Sequence, residues 1–412
     1  MILNKNQKIY FYLFGIFSLI ISSITGENSS GGAKLDSIIT RQFIDSFLVS
    51  FDYGINYFIK SNQVLSPFFF FLMSFFEKIL GQLFLKYLYV FISSLIPLIF
   101  YISLKKKFRG VNKNNLFLIS IIIFLSPYLR SSSSWMTSDN LATLFFILSI
   151  SKYLSLDRTK NFKNLILCSL YLIAASYIRQ YYAIFFILYL FLYYKFLKKS
   201  EFLLLLIVIF IFFVPLLIYY YYFFSINSGS NIEVNFINLF STNLLYTSLV
   251  FSSLYLFYLL PFYLIKNVIK EISNYIKKNT FIYFSFISIF FITILIVDPV
   301  TPNKYGGGVF LKLSIIFDNN YLMYFASYLG FLILLINLNK NNLLIYLCFL
   351  FIFPFITIYQ KYYDPLLIIV ILLLSKKDFF EKIFVTYKYN LKLIFIYYGL
   401  FLIFSNFYYN QI

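Results

Sequence analysis

Residues 202–224 read FLLLLIVIFIFFVPLLIYYYYFF, a run without a single charge, and Lys195, Lys198 and Lys199 stand just before it. A membrane-spanning helix needs about 20 consecutive, mostly apolar residues. This run meets that need alone, and twelve further runs resemble it. They lie near 8–25, 82–103, 115–130, 139–156, 164–178, 181–197, 244–264, 280–297, 321–338, 343–359, 365–375 and 391–407. The expected fold is an all-α integral membrane protein, a polytopic bundle of about 11–13 transmembrane helices. The whole of residues 1–412 forms one membrane domain in this reading, and no soluble domain or internal repeat interrupts it.

Working outward from the spans, the connecting segments sort by sign. With the N-terminus in the cytoplasm, the inner segments hold 24 of the 34 basic residues, the outer segments 10 of the 15 acids. Retention of lysine and arginine on the cytoplasmic side is what orients membrane helices. The net charge of +19 is therefore accounted for by topology, and no basic stripe remains for nucleic acid. The membrane is either a bacterial inner membrane or the endoplasmic reticulum. The first 25 residues carry Lys5 and Lys8 before an apolar run but no A-x-A cleavage pattern, so they are expected to stay as the first span.

Composition removes several chemistries. The chain has no histidine, which excludes Ser-His-Asp and Cys-His nucleophile activation and imidazole-held zinc or haem. Any general base is then expected to be a carboxylate. Cys168 and Cys348 lie in apolar runs without CxxC spacing and read as small core residues. No span carries an acid or base at its centre, where an ion-coupled transporter would need one. No metal and no cofactor is called for.

The first outer loop, 26–81, is the longest outer segment. It opens on the turn GENSSGGAK (26–34), and then Ile38, Ile39, Phe43, Phe47, Leu48 and Phe51 recur at helical spacing. That spacing predicts an amphipathic helix on the membrane surface. A second short helix is expected after Pro67, because proline favours a helix start. If the first helix is continuous, Asp45 and Asp52 share one stripe and Asp36 faces the other way. Asp36 follows a Gly-Gly pair whose freedom lets it turn toward the membrane, or it is a solvated residue at a helix start.

Four other places concentrate polar chemistry. Arg130, Trp135 and Asp139 lie in SPYLRSSSSWMTSDNLATLFFILS (126–149), as ligand-binding groups or as interface anchors and an N-cap. Arg179 and Gln180 separate two apolar runs, as a phosphate fork or a hairpin turn. Asp298, Lys304, three glycines and Lys312 share VDPVTPNKYGGGVFLKLSIIF (297–317), an anion cradle or a plain loop without P-loop spacing. Lys361, Tyr362 and Asp364 stand at the entrance of a late span.

Taken in order, these elements resemble the GT-C superfamily of polytopic glycosyltransferases, most closely the dolichyl-phosphate-glucose α-1,2-glucosyltransferases. An acidic motif in the first lumenal loop is similar to LDSIITRQF (35–43), followed by VLSPFFFFLMS (64–74). A Thr-Asp pattern opening a span resembles SSSSWMTSDNLATLFFILS (131–149), an Arg-Gln motif matches YIRQYYAIFF (177–186), and a late Glu-Pro-Arg-Tyr-Tyr run is echoed by YQKYYDP (359–365). The sequence departs from that pattern where the acid pair becomes Asp36-Ser37, where the late glutamate becomes Gln360, and where histidines near the glycines are missing.

The resemblance implies a polyprenyl-phosphate sugar donor and a lipid-linked glycan or glycolipid acceptor, both approached from the membrane lipids. It implies Asp36 as the base, with Arg179, Gln180, Asp139, Arg130, Lys304, Lys361 and Tyr362 around the donor phosphate and acceptor. The sequence alone keeps two alternatives open, an O-antigen-type polymerase or ligase and a lipid-linked-sugar flippase or transporter.

Overall fold

The computed structural model describes residues 4–61, 66–159, 162–194, 197–227, 236–264, 273–274, 276–297, 308–351, 359–375 and 391–410. These residues are helical, with no strand among them. They form two compact units, Met1–Glu233 with Phe395–Ile412, and Val234–Ile394.

In the first unit α1 (Lys5–Thr25) leads to three short helices, α2 (Ala33–Val49), α3 (Phe51–Lys60) and α4 (Phe68–Leu80). Then come α5 (Gln82–Lys107), α6 (Lys113–Ile121) with a 3-10 turn at Ile122–Leu125, α7 (Pro127–Trp135) and α8 (Asp139–Thr159). After these follow α9 (Phe162–Ile178), a 3-10 turn at Gln180–Ile184, α10 (Phe185–Tyr194) and α11 (Lys199–Asn227). The second unit holds α12 (Phe236–Tyr263), α13 (Thr280–Val297), α14 (Gly308–Ile316), α15 (Tyr321–Ile336), α16 (Lys340–Phe351) and α17 (Leu366–Leu374). From Phe395 onward, α18 (Leu391–Asn410) belongs to the first unit.

Helices stand where hydropathy places the spans, but their lengths differ from expectation. Among the described residues five are long and apolar enough to cross a membrane: Lys5–Thr25, Gln82–Lys107, Lys199–Ile218, Tyr246–Tyr263 and Leu391–Tyr409. Their outward faces are apolar. On α1 Ile9, Tyr10, Leu13, Phe14 and Phe17 are exposed, and on α11 Leu203, Ile207, Phe210 and Ile211, as lipid-facing stripes require. Four shorter apolar helices, Phe162–Ile178, Gln180–Tyr194, Tyr321–Ile336 and Lys340–Phe351, accompany them. These features are those of a multi-pass helical membrane protein.

The run expected as a span over 115–130 is broken. Its two halves, Lys113–Leu125 and Pro127–Trp135, meet at 58°. Pro127 has no N–H to continue the helix and pushes Ser126 to an extended conformation (φ −69°, ψ 119°). Ser126 then caps the new helix, its hydroxyl accepting from the Leu129 N–H at 3.0 Å. The stretch that holds Arg130 and Trp135 is thus a short helix of its own.

The first loop contains the expected helices and one more. Ser50 is extended and accepts from the Tyr53 N–H at 3.0 Å, ending α2 and starting α3. Asp45 and Asp52 therefore belong to two helices and share no stripe. The three short helices close on a knot of buried aromatic rings, with Phe43 lying 4.7 Å from Phe58 and 5.0 Å from Phe70 between centroids. Their other faces leave Leu35, Ile38, Ile39, Phe51 and Phe75 exposed, the pattern of helices lying in a membrane interface.

In the second unit α12 packs along α15. A Cβ added at Gly330 would overlap the Ser252 carbonyl, so glycine sets this close approach. Ser327 Oγ donates to the Leu249 carbonyl at 2.8 Å across the same contact.

Candidate functional site

The end of α1, the start of α5 and helices α2 and α7 meet at one place in the first unit. Between them lies a cavity of about 350 Å³, lined by Ser37, Thr40, Arg41, Ile44, Gln82, Leu83, Lys86, Ser134, Trp135 and Met136. Ser37, Thr40, Arg41 and Ile44 form one stripe of α2 at helical spacing. Asp36 stands one turn before Thr40, at the edge of that stripe.

The walls are held by specific bonds. Trp135 Nε1 donates to the Glu27 carbonyl at 2.9 Å, and the Lys34 ammonium sits 5.9 Å from its ring centroid. Lys86 Nζ donates to the Ser23 carbonyl at 2.8 Å, at the last turn of α1. Arg41 donates to Glu77 at 2.7 Å and pairs with Asp45. Burial alone would lower the Arg41 pKa, but the hydrogen bonds that it donates to Glu77 and Asp45 outweigh this and raise it.

Arg130 serves to fasten this arrangement. Its Nε donates to both Glu27 oxygens at 3.0 and 2.9 Å, and a terminal nitrogen donates to Oε2 at 2.7 Å. The other terminal nitrogen reaches Ser18 Oγ at 3.1 Å. Glu27 also accepts from Ser29 at 2.8 Å. Burial pushes the Glu27 pKa up, the Arg130 bonds outweigh that, and the carboxyl ends below its ordinary value. Ser29 and Ser30 dock on Ser131 at 3.1 and 2.9 Å, which explains why a serine-rich turn faces a serine-rich helix.

Met136 (φ 51°) turns the chain from α7 into α8, and three residues later comes Asp139. Its Oδ2 accepts from Arg179 at 2.8 Å and from Thr137 Oγ1 at 3.1 Å, while Tyr181 approaches Oδ1 at 3.5 Å. Arg179 is 8% exposed and sits in extended backbone between α9 and the following 3-10 turn. It stands at the turn between the two apolar runs, as the hairpin reading expects, and is ion-paired there with Asp139. Gln180 opens that 3-10 turn. The Tyr89 hydroxyl bonds the Thr137 carbonyl, tying the Asp139 turn to α5.

The remaining expected site residues belong to the second unit. Lys304 and Asp298 lie outside the described residues. Lys361 lies 5.4 Å from the Tyr359 ring and 5.6 Å from the Tyr362 ring, sharing its charge with two aromatic faces. Gly308 (φ +79°) ends the triple glycine, and an added Cβ there would lie 3.8 Å from Gln360 Oε1. Gln360 Nε2 in turn donates to the Tyr258 hydroxyl at 2.8 Å. Two motifs about fifty residues apart thus meet at Gln360.

Sequence reasoning missed the cavity residues Arg41, Gln82 and Lys86, and the anchor Glu27. Glu27 carried one signal, an acid at the first turn after a span. Lys86 carried none, since a lysine four residues into a span reads as an interface anchor. Compared with protein-family models, curated proteins and solved structures, the chain matches none.

Proposed function

We propose that the chain is a membrane glycosyltransferase of GT-C type, a bundle of about 11–13 spans. It would move a hexose from a polyprenyl-phosphate donor to a lipid-linked glycan or glycolipid acceptor, with inversion. One observation carries the reading. The helix bearing Asp36 and the turn leading to the Asp139–Arg179 pair border a single cavity at the ends of two apolar helices.

In this reading Asp36 takes the proton from the acceptor hydroxyl as its oxygen attacks the anomeric carbon. The bond from that carbon to the phosphate oxygen breaks in line, and the polyprenyl phosphate leaves with the electron pair. Arg179 stabilises the charge that grows on the leaving phosphate, and Asp139 keeps the guanidinium oriented. Gln180 is placed by the same turn. Arg130 acts indirectly, by fixing α7 and Trp135.

The test is sugar transfer in membranes holding wild type or Asp36→Asn, supplied with radiolabelled polyprenyl-phosphate sugars and extracted lipid acceptors. Loss of roughly 10²-fold or more is the expected result for a missing base. Undiminished transfer by the variant would remove Asp36 from that role, and absence of transfer from every donor would overturn the transferase.

A further inference from the structure

The cavity of the first unit combines groups that recognise two different chemistries. Trp135 offers an indole wall, and hydroxyls of Ser37, Thr40 and the amide of Gln82 stand around it. Flat aromatic faces against C–H surfaces, ringed by hydroxyl and amide partners, suit a pyranose. Its volume of about 350 Å³ falls at the small end of the roughly 300–1,000 Å³ found for small-molecule pockets.

The second chemistry is anionic. Arg41 is already neutralised by Glu77 and Asp45. Lys86 differs, since its hydrogen bond among the described residues is to a neutral carbonyl, that of Ser23. An ammonium has three donors, so Lys86, which pairs with no carboxylate among the described residues, has further donors at the cavity wall. Leu83, in the first turn of α5, lines the cavity and is highly exposed, an apolar surface at its edge.

We infer that this cavity binds a phosphorylated pyranose, with Lys86 holding the phosphate and Trp135 stacking on the sugar. The inference deepens the proposed transferase by assigning its donor head group to Trp135, which the sequence offered as a ligand-binding group, and to Lys86, which it did not single out. The same chemistry belongs to a lipid-linked sugar and to a free sugar phosphate, and the two sources separate by affinity.

Trp135 is the sole tryptophan of the chain, so its fluorescence reports the cavity directly. The full chain, purified in an amine-oxide detergent, is titrated with glucose 1-phosphate, mannose 1-phosphate, citronellyl-phosphoglucose, methyl glucoside and inorganic phosphate. A saturable change with the phosphorylated sugars is expected, weakened roughly 10- to 100-fold in Lys86→Met, as loss of a hydrogen bond to a charged group predicts. Tighter binding of the citronellyl compound supports the lipid source; equal affinity supports a free sugar phosphate.

No saturable change with any phosphorylated sugar overturns the inference, as does a response that Lys86→Met leaves intact. An equal response to inorganic phosphate alone overturns the sugar half of it. Gln82→Leu, which removes an amide and no charge, repeats the test should Lys86→Met not fold. Binding needs no turnover, so its failure is separable from that of the transferase. Binding without transfer from any donor would keep the cavity and remove the transferase. Transfer that Lys86→Met leaves unchanged would keep the transferase and remove the cavity.

Discussion

Arg130 and Arg179 are two nearly buried arginines, with side chains 11% and 9% exposed, and each faces one carboxylate. They differ in what the pair connects. Arg130 grips both oxygens of Glu27 and adds Ser18, so its nitrogens join α7 to the body of α1 and to the turn that leaves it. Arg179 meets Asp139 through one terminal nitrogen, linking two residues that each begin an element after a turn. The first pair holds helices together, whereas the second joins the turn into α8 to the turn after α9, and in the proposed transferase it is this second pair that faces the donor phosphate. Sequence position alone ranks them equally.

Breaking each pair separates the two roles. For Asp139→Asn the larger loss is expected in transfer, on the order of 10²-fold or more, because Arg179 loses the carboxylate that orients it. Rates measured in membranes with matched amounts of folded protein would check this. For Glu27→Gln the larger loss is expected in stability. Removing one partner of a buried ion pair costs about 3–5 kcal/mol, read as a lowered unfolding midpoint in detergent. If Asp139→Asn unfolded the chain and Glu27→Gln silenced a folded one, the comparison would be reversed.

Acid sharpens the same contrast. The Glu27 pKa is depressed in the folded protein relative to its ordinary value of about 4.3. The stability it contributes is thus fully present above that ordinary value, and is lost as pH falls through the lower folded value. Wild type should lose thermal stability on acidification below about pH 4 more steeply than Glu27→Gln, whose side chain has no proton to gain. Parallel curves for the two would show that Glu27 is not the group responsible.

The helices were legible in the sequence because apolar runs and helical spacing are local signals. The start of α4 at Phe68 follows from Pro67, and the amphipathic α2 from Ile39, Phe43 and Phe47. The break at Ser50 was hidden, since a serine within an apolar pattern signals no end until its hydroxyl caps the next turn. The break before Pro127 was hidden by the hydrophobicity on both sides of it. Asp139 and Arg179 were each legible as polar residues at span ends, but their pairing spans forty residues and needed the fold. The cavity was the least legible feature, because its lysine and glutamine come from α5, its tryptophan from α7 and its hydroxyls from α2, and none forms a motif by itself.

The smallest expected effect lies at the joint beneath the Arg130 clamp. Gly26 ends α1 in the left-handed region (φ 67°, ψ 41°), and its N–H bonds the Ser22 carbonyl. A Cβ placed there would lie 3.4 Å from Trp135 Cζ2, the edge of ordinary contact. The cost of Gly26→Ala is then conformational and not a clash, about 1–2 kcal/mol for an L-residue held in that region. Gly26→Asn should cost less, since asparagine tolerates this conformation better than alanine. Both variants keep Glu27 and Arg130, so the clamp stays formed and Trp135 keeps its bond to the Glu27 carbonyl. Unfolding midpoints should therefore fall in the order wild type, Gly26→Asn, Gly26→Ala, with the Trp135 response to phosphorylated sugars unchanged in all three. A fall in the alanine variant as large as that of Glu27→Gln would mean that the turn, rather than the ion pair, carries the joint between α1 and α7.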